Sequence, residues 1–144
     1  MLKTKLLGAT AAAEPVFIED VFSTYLYTGT GSTRTITNGI DLSGEGGLVW
    51  IKRRSGADNH RLFTTDIGED IGLVSNNTNG TSGNSGFDPF FDFTSSGFSF
   101  PTSANALNES GQTFASWTFR KTPRFFDVVT WTGDGVASRA ITHN

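Results

Sequence analysis

Between positions 91 and 100 the chain reads Phe-Asp-Phe-Thr-Ser-Ser-Gly-Phe-Ser-Phe. Successive side chains of a strand point to opposite faces, so Phe91 and Phe93 lie on one face and Asp92 on the other. Ser95-Ser96-Gly97 turns the chain, and Phe98 and Phe100 then alternate with Ser99. The stretch is a hairpin with two aromatic pairs on one face and small polar groups on the other.

The remaining chain has the same character. Residues 16–27 are aromatic and β-branched and predict one or two strands; Thr-Gly-Thr-Gly-Ser-Thr turns them and residues 34–42 return, which reads as a hairpin. After a Ser-Gly-Glu-Gly-Gly loop, residues 48–54 predict a strand with Val49 and Ile51 on one face and Leu48, Trp50 and Lys52 on the other. Large apolar groups on both faces place that strand centrally, between two layers. Residues 60–66 return from a turn as another strand. Residues 75–86 are almost purely Asn, Ser, Thr and Gly, which bury nothing and so form a surface loop. Residues 112–121 predict a strand with Trp117 and Phe119 sharing a face. No segment has helical periodicity. Short strands separated by Gly-rich turns imply an all-β fold, a β-sandwich or jelly roll.

One segment occurs twice. Residues 22–38 and 126–144 align with a one-residue gap, pairing Phe22 with Phe126, Tyr27 with Trp131, Thr28 with Thr132 and Gly29 with Gly133. Gly31 then pairs with Gly135, Arg34 with Arg139, Ile36 with Ile141 and Thr37 with Thr142. Both copies predict a strand, a Gly-x-Gly turn and a return strand. The expected organisation is an arm at 1–14, a sandwich at 15–124, and a second copy of the opening hairpin at 125–144. The second copy either opens a further module or pairs with the first to close one sandwich. Its first strand is strongly apolar, so Phe125, Phe126, Val128, Val129 and Trp131 are the candidate assembly interface, as an edge open to pairing across subunits.

Composition narrows the function classes. The chain of 144 residues suits one domain with its own core, and thirteen Phe and three Trp supply the large apolar side chains. The absence of Cys excludes disulfides, thiolate metal sites and Cys nucleophiles. A net charge of −3 opposes general nucleic-acid binding, which needs a cationic surface. No stretch approaches the roughly eighteen apolar residues of a membrane span. The opening residues resemble a secretory signal only superficially, because Gly8 and Thr10 break a short apolar run.

Nothing marks an active site, and the chain reads as a non-enzyme. Paired carboxylates of the glycosidase kind are not apparent: Asp88 and Asp92 flank the aromatic run, Glu69 and Asp70 precede the Asn-rich loop, and Glu19 and Asp20 are adjacent. His60 and His143 lack a Gly-x-Ser-x-Gly nucleophile elbow and are too few for zinc. No cofactor is expected; calcium is the one ion with plausible oxygen donors, at Asp58, Asn59, Asp66 and the asparagines of the loop at 75–86. The Gly-rich stretches lack the Lys of a phosphate loop. Sequons at Asn76, Asn79 and Asn108 are what this composition yields by chance. Lys52, Arg53 and Arg54 end one aromatic strand, and Arg120, Lys121 and Arg124 end another. They are gatekeeping charges, or, if the two strands end on the same side, one basic rim for an acidic glycan or a partner's carboxylates.

Several pieces together resemble a known family: Gly-Leu-Val-Trp-Ile-Lys followed by Arg-Leu-Phe, the Ser-x-Gly-Phe hairpin, and Ser-Gly-Gln-Thr-Phe-Ala-Ser-Trp-Thr-Phe. Over residues 20–144 the chain is similar to virion-associated proteins of marine bacteriophages, usually described as tail fibre or structural proteins. The resemblance implies a concanavalin A/laminin-G-like sandwich with a short extended N-terminal arm, a place in the tail or capsid surface of a virion, and other virion proteins as partners. It implies a homo-oligomer, with a trimer suiting a fibre, and host-surface glycan as a further contact. In that family the segment matching residues 140–144 commonly runs on into another strand. Capsid decoration fits the same features. The resemblance carries over no catalytic residues.

Overall fold

A computed structural model describes residues 15–69, 71–80, 91–100 and 105–143. The expected arm at 1–14, Asp70, Asp88 and the second half of the Asn-rich loop lie outside them. Among the described residues eight strands form two antiparallel sheets. These are β1 (Phe22–Thr28), β2 (Arg34–Thr37), β3 (Gly47–Arg53), β4 (Arg61–Thr64), β5 (Gly72–Val74), β6 (Asp92–Thr94), β7 (Gly97–Phe100) and β8 (Thr113–Arg120). The larger sheet has the order β1-β8-β3-β4-β5 and the smaller the order β2-β7-β6. They face one another as a sandwich, with the core between them.

The aromatic hairpin forms as its alternation dictates. Phe93 pairs with Phe98 across β6 and β7, and Phe91, Phe98 and Phe100 are fully buried. Phe63 from β4 of the opposite sheet stacks on Phe91 at 4.1 Å between ring centroids. Each such buried ring contributes about 1.5–3 kcal/mol through burial alone. Strand β3 is central in the larger sheet, with Val49 and Ile51 buried in the core. Its other face is a second, half-exposed aromatic layer rather than an interior one. Trp50 lies 5.3 Å from Trp117 there, and Phe119 packs between Phe22 and Phe126. The described phenylalanines are therefore divided between a core and an outer face, apart from Phe17 and Phe125, which are exposed.

The opening segment departs from the sequence reading. Strands β1 and β2 do not pair: β1 hydrogen-bonds to β8 and β2 to β7, in different sheets. The Gly-x-Gly turn is a corner that carries the chain across the sandwich. This lets Tyr27 and Ile36 enter the core from opposite sheets, which a hairpin would prevent. Two single-turn helices, α1 (Ile18–Val21) and α2 (Asn105–Asn108), are too short for periodicity to reveal. Glu19 and Asp20 lie in α1, where Asp20 accepts a hydrogen bond from the Phe17 amide at 2.9 Å.

The second copy, at 125–144, is not a hairpin either. Its described residues form no strand, and its sole β contact among them is an isolated bridge between Thr122 and Phe126.

Candidate functional site

The six cations do not form one rim. Strands β3 and β8 run antiparallel, pairing Gly47 with Arg120 and Arg53 with Phe114, so the two clusters sit at opposite ends of the sheet. Each cluster is also engaged locally. Arg53 holds Asp58 at 2.8 Å and Glu109 at 2.9 Å, and these partners, Asp58 first, raise its pKa. Lys52 donates to the carbonyls of Arg53 and Gly56, while Arg54 is exposed. At the far end Lys121 bridges Asp66 at 2.7 Å and Asp127 at 3.6 Å. The hydrogen bond to Asp66 is the main cause of its raised pKa. Arg120 donates to Thr122 at 3.4 Å, and Arg124 is exposed with φ of 68°.

The Arg53 end opens into a cleft of about 560 Å³, with Asp58, Asn59, Arg61 and Glu109 around Ala57 and Ala106. Burial lowers the pKa of the Arg61 guanidinium, partly offset by Asp58. The first residues of the Asn-rich loop converge here, because Asn76 donates to Asn59 at 3.0 Å and accepts from the His60 amide at 3.0 Å. The oxygen donors suggested for calcium do not all meet: Asn76 of the loop joins Asn59 beside Asp58, and Asp66 lies elsewhere. Asp58 and Asn59 precede β4, whereas Asp66 follows it beside Lys121. His60 accepts from the Trp50 indole at 3.1 Å, which ties it to the aromatic outer face. Asp92 accepts from Ser99 across the hairpin.

The proposed interface residues separate into two groups. Phe126 stacks on Phe119 and belongs to this chain's own outer face, and Val128 and Val129 are half-buried. Phe125 and Trp131 are exposed, as are Val16, Phe17, Ile18 and Val136. Phe125 and the residues around α1 line an apolar groove of about 200 Å³. Val16, Phe17, Ile18 and Phe125 are thus large exposed apolar side chains that share one place on the surface.

The two copies of the corner share a local conformation and differ in surroundings. In the first, Gly31 has φ of 67° and the Arg34 guanidinium donates to the Thr28 carbonyl. In the second, Gly135 has φ of 74° and Arg139 donates to the Thr132 carbonyl at 2.7 Å. The first copy is docked. Its Tyr27 ring stacks on Phe114 at 5.1 Å and its hydroxyl donates to the Leu107 carbonyl at 2.7 Å. Burial holds the Tyr27 phenol far above its ordinary pKa, partly offset by Arg34. Gly29 and Gly31 lie against the turn after α2, where a Cβ on Gly29 would overlap the Glu109 carbonyl.

Asn108 organises that dock. Its side-chain oxygen accepts from the Thr30 amide at 3.0 Å. Its nitrogen donates to the Ser32 carbonyl at 2.6 Å and to Thr30 Oγ1 at 3.1 Å. The residue is fully buried, so its sequon is closed to glycosylation. Sequence reasoning passed over Asn108 as a chance sequon. The available signal was its place just before the Glu-Ser-Gly-Gln turn, opposite a segment rich in glycine.

These features define an all-β sandwich module with an exposed apolar flank and a polar cleft. The chain belongs to the family described as a domain of unknown function, DUF7483, which it matches over residues 18–144. No curated protein and no solved structure matches it.

Proposed function

We propose that the chain is a structural, non-catalytic subunit of a bacteriophage virion, a tail fibre or tail-associated protein at its attachment end. It assembles with other virion proteins and with copies of itself, a trimer being the arrangement a fibre favours. The observation that carries this reading is the exposed apolar flank where Val16, Phe17, Ile18 and Phe125 line one groove, which a free-standing domain has no reason to keep in water. The resemblance in motif order supplies the virion. Mass spectrometry of purified particles, separated into tails and heads, tests it. Detection in tails is expected, detection only in heads means a capsid decoration protein, and absence from both overturns the reading.

A second reading is a host-glycan contact, favoured by the cleft, where the Asn-rich loop and Arg53 meet at one end of the sandwich. Its charges are two guanidiniums and two carboxylates, which match hydroxyl-rich sugars better than a strongly anionic glycan. Arg120, Lys121 and Arg124 lie at the other end and have no part in it. Titration with host surface polysaccharide should show binding that Asp58→Ala removes and Arg124→Ala leaves intact. No binding by the unaltered protein would sink this reading.

A further inference from the structure

We infer that residues 126–142 are a second docking corner, whose receptor is another sandwich of the same design. That receptor presents an Asn-centred turn ahead of a β8-like strand. The first corner shows what such a receptor must supply. It needs a carbonyl close enough to exclude any side chain at the first glycine, as Glu109 does at Gly29. It needs an amide side chain that meets the backbone between the glycines, as Asn108 does at Thr30. It also needs an aromatic pocket for the ring before the turn, as Phe114 provides for Tyr27.

The second corner carries the complementary parts with none of these partners among the described residues. Trp131, matching Tyr27, is 61% exposed, whereas Tyr27 is 6% exposed. A Cβ added at Gly133 would meet no described atom within 4 Å, and the same holds at Gly135. The corner nevertheless keeps two features of the docked one, the positive φ of its second glycine, Gly135, and an arginine bonded back to its threonine carbonyl, Arg139 to Thr132. A preformed corner loses less conformational freedom on binding, so it suits a segment whose work is to dock. Val128 and Val129 lie in the stretch matching β1, which in the first copy pairs with β8 over its whole length. The turn at Asn108 is already filled by residues 29–31. The receptor is therefore a different sandwich, and its open groove is where its own first strand would lie.

This rests on the assembly reading only in expecting the protein to have a partner, and its test does not depend on where that partner is found. Hydroxyl-radical oxidation of Trp131 is compared between the protein taken from its natural source, in its native complex, and the isolated 144-residue chain. Trp50 and Trp117 serve as internal references, since both are half-buried. Trp131 should react about tenfold more slowly in the native material, in proportion to a fall from 61% exposure to the 6% of docked Tyr27. Gly133→Ala should leave the stability of the isolated chain unchanged and abolish that protection. Equal reactivity of Trp131 in both forms overturns the inference, and so does undiminished protection in Gly133→Ala. The assembly reading fails separately, by absence of the protein from virions.

Discussion

The two corners carry nearly the same residues and meet different fates. In residues 22–37 the flanking segments are strands in two sheets; in residues 126–142 they are irregular, half-buried as far as Val129 and mostly exposed beyond it. Yet the turn itself is alike in both, with a left-handed second glycine and an arginine bonded to the threonine carbonyl. Local sequence thus determines the turn, whereas β8 on one side and β7 on the other make the flanks into strands. A strand's backbone groups need partners, and short-range chemistry does not provide them.

The comparison breaks most sharply at the glycines. Gly29→Ala forces a Cβ into the Glu109 carbonyl, which cannot move without shifting the turn, and should cost about 3 kcal/mol in urea denaturation. The matching change at Gly133 faces open space and should stay within about 0.5 kcal/mol of the unaltered chain. Equal effects at the two sites would mean that the corners are not distinguished by docking.

Asn108→Ala comes next, at about 2 kcal/mol, because it removes three hydrogen bonds and leaves the part-buried Thr30 amide without its acceptor. A smaller loss, with full retention of the Gly29 and Gly31 amide protection, would show that the backbone contacts hold the corner by themselves.

Tyr27→Phe removes one hydrogen bond and should cost about 1 kcal/mol. It also has a pH signature. In the unfolded chain the phenol titrates near its ordinary 10.0, and burial holds the native form higher. Its contribution is complete below pH 10 and is lost as the pH rises further, because only the unfolded state then releases the proton. Stability measured between pH 9 and 11 should fall less steeply in Tyr27→Phe than in the unaltered chain. Lys121, raised by its hydrogen bond to Asp66, acts in the same sense above its ordinary 10.5.

The smallest effect separates the arginines. Arg34 lies 5.2 Å over the Tyr27 ring, whereas Arg139 pairs with the exposed Asp134. Arg34→Ala should cost about 0.5–1 kcal/mol and Arg139→Ala about 0.3 or less.

The parts of the fold legible in the sequence were those with strict alternation over a short span. Phe91, Phe93, Phe98 and Phe100 announced their hairpin, and Val49 with Ile51 announced a face turned to the core, though the opposite face proved not to be interior. The Gly-x-Gly turn misled because hairpins and sandwich corners use the same residues to reverse or redirect a chain. Only the partners decide between them, and β8 lies some ninety positions from β1, as the pairing of Tyr25 with Ser116 illustrates. The cation clusters were legible as clusters, but their separation follows from the antiparallel pairing of β3 with β8. Of the proposed interface, Phe125 and Trp131 are exposed, whereas Phe126 found a partner in Phe119 that no local pattern signalled.

The most direct test of the central claim is amide hydrogen exchange across both corners, in the native complex and in the isolated chain. The amides of Gly29, Thr30 and Gly31 are bonded to Gln112 and Asn108 and should be protected in both forms. Those of Gly133, Asp134 and Gly135 should exchange freely in the isolated chain and gain comparable protection in the complex. Free exchange of the second corner in both forms would contradict the account and leave the repeat as a turn with no receptor.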